Sequence, residues 1–294
     1  MAEPAPAAMA AAAAAAVAAG TTLTGIVGHP IAHSLSPAIH NAAFAALGMR
    51  WTYAAFDVLP QDFAGAIEGA RALGIRGLNV TAPHKAAAAR AVDRLVGAAA
   101  EIELVNTIVV GEGGGATGHS TDGEGFLAAC EDRGWRAGPG MRAVVVGAGG
   151  ASVSVAHALL GRGVRVVLAN RDPGRLGDAL ARLPGADGVP LGDSRLTREL
   201  ASADLLVVAV PPTSGLLEAL DLEALRPGAR VADLAYEPAE PPTVAAARAR
   251  GLEAWNGLGM LVHQGALSFA LWTGREAPRA IMARAAGYSV GSRQ

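Results

Sequence analysis

Short apolar runs alternate with longer amphipathic ones along this chain. Leu23-Thr24-Gly25-Ile26-Val27-Gly28 reads as a first strand closed by glycine, and Trp51 to Val58 alternates as a second. Between them Ala38 to Leu47 has a helical pattern, entered through Ser36-Pro37, a pair suited to an N-cap and a first helical position. Gln61 to Leu73 sets Phe63, Ile67, Ala70 and Leu73 at helical spacing. Gly74-Ile75-Arg76-Gly77-Leu78 reads as a short buried strand, and Asn79-Val80-Thr81-Ala82-Pro83-His84-Lys85 leaves its carboxyl end. An alanine-rich helix from Ala86 to about Leu95 follows, and Ile102 to Val110 carries two strand-like pieces around Asn106. A glycine turn at Gly113 to Gly115 leads through Thr117 to Asp122-Gly123, which stands before the helical run Glu124 to Arg133 and suits a helix cap.

Gly134 to Gly140 is loop-rich and marks a passage between domains. Beyond it Arg142 to Val146 is a β-branched run of the kind found in buried parallel strands. Val164 to Ala169, Leu205 to Val210 and Val231 to Leu234 read as further strands. Helices are expected through Leu160, over Asp178–Leu183 and over Thr243–Ala249, then an apolar helix from Met260 to Trp272 and a last one from Pro278. Strand and helix in alternation predict an α/β chain with a doubly wound sheet.

Composition narrows the function classes. Hydrophobic residues make up 51% of the 294 positions and aromatics 4%, so the core is built from Ala, Val, Leu and Ile. With 24 basic and 26 acidic residues the net charge is -2, and no basic run offers a seat for nucleic acid or an anionic membrane. One cysteine, Cys130, excludes an intrachain disulfide and a multi-cysteine metal cluster, and fits the cytoplasm. The seven histidines show no metal-ligand spacing. The alanine-rich start is too weakly apolar for a membrane span or a secretory signal, so residues 1–20 are read as a disordered arm outside the fold.

Loops at the carboxyl ends of strands line the ligand crevice of open α/β sheets, and Lys85 is delivered to such a place. It suits a proton donor or anion anchor there, although most lysines are simply solvated. Ser34 and Ser36 offer hydroxyls beside a helix start, a natural seat for a carboxylate. Gly147-x-Gly149-x-x-Ser152 sits between a strand and a helix, as a dinucleotide-binding turn does, with a small Ser in the third position. At the end of the second strand of that unit, where an acidic residue would hold a ribose diol, stand Asn170-Arg171 and then Arg175. Arginines there favour a 2′-phosphate, whereas Asp172 between them works the other way.

Taken together, His33-Ser34-Leu35-Ser36-Pro37, Asn79-Val80-Thr81-x-Pro83-His84-Lys85, Val105-Asn106-Thr107, Thr121-Asp122-Gly123, Gly147-x-Gly149-Gly150-Ala151, Asn170-Arg171, Tyr236-x-Pro238 and Met260-Leu261-Val262-His263-Gln264 resemble the shikimate dehydrogenase family over residues 23–285. The resemblance implies an N-terminal α/β substrate domain plus a Rossmann-type doubly wound dinucleotide-binding domain, with the active site in the cleft between them. It places the substrate domain at 21–122, completed by 258–294, and the NADP-binding domain at 123–257. It implies Lys85 and Asp122 as the paired catalytic groups, and Ser34 and Ser36 on the substrate carboxylate. Thr81, Asn106 and Gln264 would contact ring hydroxyls, and Tyr236 would close the pocket. Gly147, Gly149, Gly150, Ala151, Asn170, Arg171 and Arg175 would bind the cofactor, NADP, with NAD as the other acceptor. The implied reaction is the reduction of 3-dehydroshikimate to shikimate on the route to aromatic amino acids; a homodimer is compatible with it.

One segment departs from the family. Where the family commonly has an Asn-x-Thr-Pro-x-Gly-Met type of run, this chain has Val208-Ala209-Val210-Pro211-Pro212-Thr213-Ser214. That change leaves open a paralogue acting on quinate or an aminated analogue. It also leaves open a non-catalytic metabolite or dinucleotide sensor, against which the intact Lys85 and Asp122 speak.

Overall fold

The computed structural model describes residues 19–215 and 220–288; the expected arm at 1–20 falls almost entirely outside them, as do the last residues, 289–294. Two six-stranded sheets organise the rest. The first is built from β1 (Thr22–Gly28), β2 (Trp51–Asp57), β3 (Gly77–Val80), β4 (Arg94–Leu95), β5 (Thr107–Val110) and β6 (Ala116–His119), in the order β2-β1-β3-β5-β6-β4. It is mixed: β1 runs parallel to β2 and β3, whereas β5 is antiparallel to β3 and β6. Its helices are α1 (Ser36–Ala46), α2 (Phe63–Ala72), α3 (Lys85–Ala91) and α4 (Ala98–Ile102).

The second sheet holds β7 (Arg142–Val146), β8 (Arg165–Asn170), β9 (Asp187–Pro190), β10 (Leu205–Val208), β11 (Arg230–Asp233) and β12 (Glu253–Trp255). Every pairing in it is parallel, in the order β12-β11-β10-β7-β8-β9. Counted from its own first strand, that is the doubly wound order of dinucleotide-binding sheets, with the reversal of direction beside β7. Alternate residues of the strands serve opposite faces. Val145, Val166, Leu168 and Val207 pack into one apolar cluster, and Val144, Val146, Val167 and Val208 into another. A sheet buried on both sides explains why these strands read as unbroken apolar runs.

Helix α5 (Asp122–Asp132) joins the two halves: it packs on α6 (Gly150–Gly161) of the second sheet and on α10 (Leu258–Thr273). Between them come α7 (Pro173–Ala181), α8 (Ser194–Ser202) and α9 (Pro242–Ala249). After β12 the chain returns to the first sheet, where α10 and α11 (Arg279–Ala285) cover one face. Phe269, Trp272 and Met282 bury there with Ile26, Ile39, Phe44 and Tyr53.

Several expectations shift. Ser36 is not an N-cap: α1 starts at Ser36 itself, behind Leu35, and no side chain caps it. The Ser36 side chain faces the phenol of Tyr53, whose pKa it lowers. Asp122 lies inside the first turn of α5, with its carboxylate engaged elsewhere. The strand expected over Gly74–Leu78 is moved forward to Gly77–Val80, because Ile75 still closes α2 through its N–H to Ala70 O. Ile102 ends α4 rather than starting a strand, and Glu103 terminates the helix in the left-handed region at φ 51°. The helix expected at Asp178 starts at Pro173, because Asp172 caps it by accepting from the N–H groups of Gly174 and Arg175. The strand expected to reach Val210 ends at Val208. Strands β4, β6, β9 and β12 carried too little apolar pattern to be read, and helix α8, which buries Leu196 and Leu200 one turn apart, was not among the expected elements.

Candidate active site

A cavity of about 170 Å³ opens where the carboxyl ends of β1 and β3 meet α10 and the loop after β11. Its lining brings together Ser34, Ser36, Thr81, Lys85, Asn106, Asp122, Tyr236 and Gln264, all eight of the substrate-side and catalytic residues expected from the sequence. Lys85 opens α3 and Asp122 opens α5; their side chains, 13% and 7% exposed, form an ion pair through Nζ and Oδ2. The other carboxylate oxygen, Oδ1, accepts from Asn106 Nδ2 at 2.8 Å. Each oxygen of Asp122 therefore has its own donor, which fixes the plane of the carboxylate.

The amide of Asn106 is oriented by its neighbours. The backbone N–H of Thr121, which can only donate, reaches Asn106 Oδ1 at 2.7 Å. Nδ2 must then face Asp122 Oδ1 and Thr121 Oγ1, the latter at 2.9 Å. Gln264 projects from α10 with Oε1 3.4 Å from Asn106 Nδ2 and Nε2 held by Leu261 O. Ser34 and Ser36 lie on one turn, with Ser36 N donating to Ser34 Oγ at 3.3 Å. Tyr236 reaches in from the loop after β11, and burial pushes its phenol above the ordinary range against the lowering effect of the Leu35 backbone before α1.

Residues that the sequence reading passed over support this constellation. Tyr53 donates to Asn79 Oδ1 at 2.7 Å, and burial drives its phenol well above the usual range against the lowering effect of Ser36. His40 stacks on the Tyr53 ring at 4.4 Å and 8°, and burial holds it neutral, down to about 3. Asn79 stood in the motif, but only the pairing of β3 with β5 reveals that its amide meets Asn106 O and Thr107 Oγ1.

A second cavity, about 540 Å³, adjoins the first and shares Thr81, Lys85 and Ala151 with it. Gly149, Gly150 and Ala151 face it at the start of α6, and Asn170, Arg175, Asp178 and Arg182 line its far end. Gly147 lies behind this lining and shapes the turn: φ is +127°, and a Cβ there would stand 2.6 Å from Ser152 Oγ and 2.9 Å from Ala209 O. Arg171 is exposed and outside the lining, whereas Arg175 is within it. Asp172 caps α7 through Oδ1, which accepts from the N–H groups of Gly174 and Arg175. A glycine turn at a helix N-terminus, followed by an arginine, fits a dinucleotide with an additional phosphate. Ala209, Val210 and Pro211 of the departing segment form the wall beside that turn. No group of three or more His, Cys, Asp or Glu among the described residues is arranged to hold a metal ion, and no described helix is long and apolar enough to cross a membrane.

The doubly wound sheet, the mixed sheet and the lysine–carboxylate pair between their two cavities define a two-lobed dinucleotide-dependent dehydrogenase. The comparisons agree. The profile of the "Shikimate dehydrogenase substrate binding domain" matches residues 26–108, and that of the "Shikimate 5'-dehydrogenase C-terminal domain" matches 257–286. Shikimate dehydrogenase (NADP(+)) of Moorella thermoacetica is 45% identical over 93% of this chain and 95% of its own. That of Rubrobacter xylanophilus is 44% identical over 90% and 95%. Among solved structures, shikimate 5-dehydrogenase of Thermus thermophilus in complex with NADP(H) and shikimate superposes with a TM-score of 0.80 at 35% identity, covering 90% of this chain and 98% of that one. Quinate dehydrogenase of Corynebacterium glutamicum in complex with NAD gives 0.80 at 32% over the same shares. The chain belongs to the shikimate dehydrogenase family.

Proposed function

We propose that this protein reduces 3-dehydroshikimate to shikimate with NADPH, and runs the reaction in reverse with NADP, as a cytoplasmic enzyme of aromatic amino acid formation. The observation that carries the reading is the Lys85–Asp122 pair at the junction of the two cavities, in reach of a substrate in one and a cofactor in the other. In this reading the substrate domain is 21–122 with 258–294, and 123–257 is the NADP domain.

Ser34 and Ser36 hold the substrate carboxylate; Thr81, Asn106 and Gln264 hold ring hydroxyls; Tyr236 closes the pocket from the opposite lobe. When bound, the nicotinamide supplies the hydride. As the ketone carbon receives it, negative charge grows on the carbonyl oxygen, and the Lys85 ammonium stabilises that charge and donates a proton. Asp122 aims Lys85, and shares the proton in the reverse direction. Gly149, Gly150 and Ala151 seat the pyrophosphate at the start of α6, and Arg175 receives the 2′-phosphate beside Asn170, with Arg171 at the rim.

The test is the wild-type protein with shikimate or quinate, each against NADP and NAD. Shikimate with NADP should give the highest kcat/KM. Arg175→Ala should weaken NADP and leave NAD nearly unchanged. Faster turnover of quinate, or no turnover of either substrate, would sink the assignment.

A further inference from the structure

Ser268 lies outside the cavity lining, is 0% exposed, and carries no role in the reaction described above. It sits on α10 one turn beyond Gln264, and its Oγ is surrounded by polar atoms from four segments. Asn79 Nδ2 of β3 donates to it at 2.9 Å, Thr107 Oγ1 of β5 lies at 2.8 Å and Thr121 Oγ1 before α5 at 3.4 Å. It also reaches Gln264 O at 3.0 Å. We propose that Ser268 is a positioning residue for the acid–base pair: its buried hydroxyl ties Asn79, Thr107 and Thr121 together, and these three hold the Asn106 amide that aims at Asp122. The proposal rests on the reading of Lys85 and Asp122 as the reacting pair.

Asn106 donates to Asp122 Oδ1 at 2.8 Å and to Thr121 Oγ1 at 2.9 Å, so both protons of its amide are committed. Its Oδ1 accepts from Thr121 N at 2.7 Å and from Thr107 Oγ1 at 3.2 Å. Thr107 and Thr121 thus grip the amide, touch each other at 3.4 Å, and meet again at Ser268 Oγ. Asn79 Nδ2 closes the ring by touching Asn106 O, Thr107 Oγ1 and Ser268 Oγ at 3.1, 3.1 and 2.9 Å. Removing Oγ takes one contact each from Asn79 Nδ2, Thr107 Oγ1 and Thr121 Oγ1, which among the described residues are then held only by Asn106 and by one another. Without that tether to α10, Thr107 and Thr121 rotate more freely, and rotation of either releases Asn106. A released Asn106 no longer donates steadily to Asp122, and a carboxylate without that donor takes up a proton more readily.

Two variants separate positioning from packing. Ser268→Ala removes the hydroxyl and leaves a small void; Ser268→Cys fills the site with a weak hydrogen-bonding group. In both, kcat for shikimate oxidation should fall roughly tenfold, and the acid limb of the pH–rate profile should move to higher pH, with the cofactor Kd unchanged. The second readout is independent of turnover. The Asn106 side-chain amide should show slow hydrogen exchange by NMR in the wild type and faster exchange in both variants. If the protein proves inactive on shikimate, the proposed function fails while the exchange measurement still decides the role of Ser268. Unchanged Asn106 exchange, an unmoved acid limb, or wild-type behaviour in Ser268→Cys would overturn the proposal.

Discussion

At the residue scale, the lysine and the carboxylate carry unequal burdens. Lys85 emerges on the first turn of α3, with its stem against Gly150, where an added Cβ would stand 2.8 Å from Lys85 Cδ. Asp122 is locked by two donors. Lys85→Ala should lower kcat on the order of 10²–10⁴-fold, the range of a positioned acid or base, and should lower the thermal midpoint because the buried Asp122 carboxylate loses its cation. Wild-type turnover in a folded Lys85→Ala protein would remove the lysine from the chemistry. His40 makes a different prediction, about stability. Burial lowers its pKa from 6.5 to about 3, so the unfolded chain takes up a proton below pH 6.5 that the folded protein refuses. Its contribution is complete above pH 6.5 and is lost as the pH falls, by up to about 1.4 kcal/mol per pH unit. Denaturation midpoints between pH 5 and 7 should slope less in His40→Phe than in the wild type. Equal slopes would show that another group titrates.

At the element scale, the site depends on how closely α5 and α10 approach. A Cβ on Gly125 would stand 2.6 Å from Gln264 N and 2.8 Å from Gln264 Cα, so backbone nearly meets backbone. Gly125→Ala should force the helices apart, cost about 1–3 kcal/mol in chemical denaturation, and raise KM as Gln264 moves away. Unchanged stability together with unchanged KM would argue against this close contact. Such contacts also explain what the sequence could and could not convey. Arg142–Val146 and its glycine turn announce their element and ligand locally, because a doubly buried strand and a phosphate-binding turn each constrain successive residues. Lys85, Asp122, Asn106 and Gln264 were legible only as pieces of familiar motifs. Tyr53, Thr107 and Ser268 were not legible as a group, because the pairing of β3 with β5 and the packing of α10 bring them together. Ser36 misled for a related reason: Ser-Pro is a sound local cap signal, and a tertiary partner, Tyr53, overrides it. The short strands β9 and β12 are fixed by neighbours already in place, so their own patterns need say little.

At the scale of the whole molecule, the second sheet is inserted between two parts of the first half of the protein. The first sheet presents Ile26, Ile39, Phe44 and Tyr53 to Phe269, Trp272 and Met282, side chains that come from the far end of the chain. The second sheet takes little from that end: β7 to β12 are contiguous in sequence, and Met260 is the contribution of α10 to its core. Domains emerge from the ribosome in sequence order and fold as units. The first sheet to begin synthesis is therefore the last to be finished: it waits with an apolar face uncovered while the dinucleotide half is made and folds. Chains arrested on the ribosome after β12 should resist protease across β7–β12 and be cut within residues 22–57. Chains long enough to release α10 and α11 should be protected throughout. Equal early protection of both halves would mean that the first sheet folds without its cover. The interval before closure is a window in which chaperones would find a binding surface that the finished enzyme no longer offers.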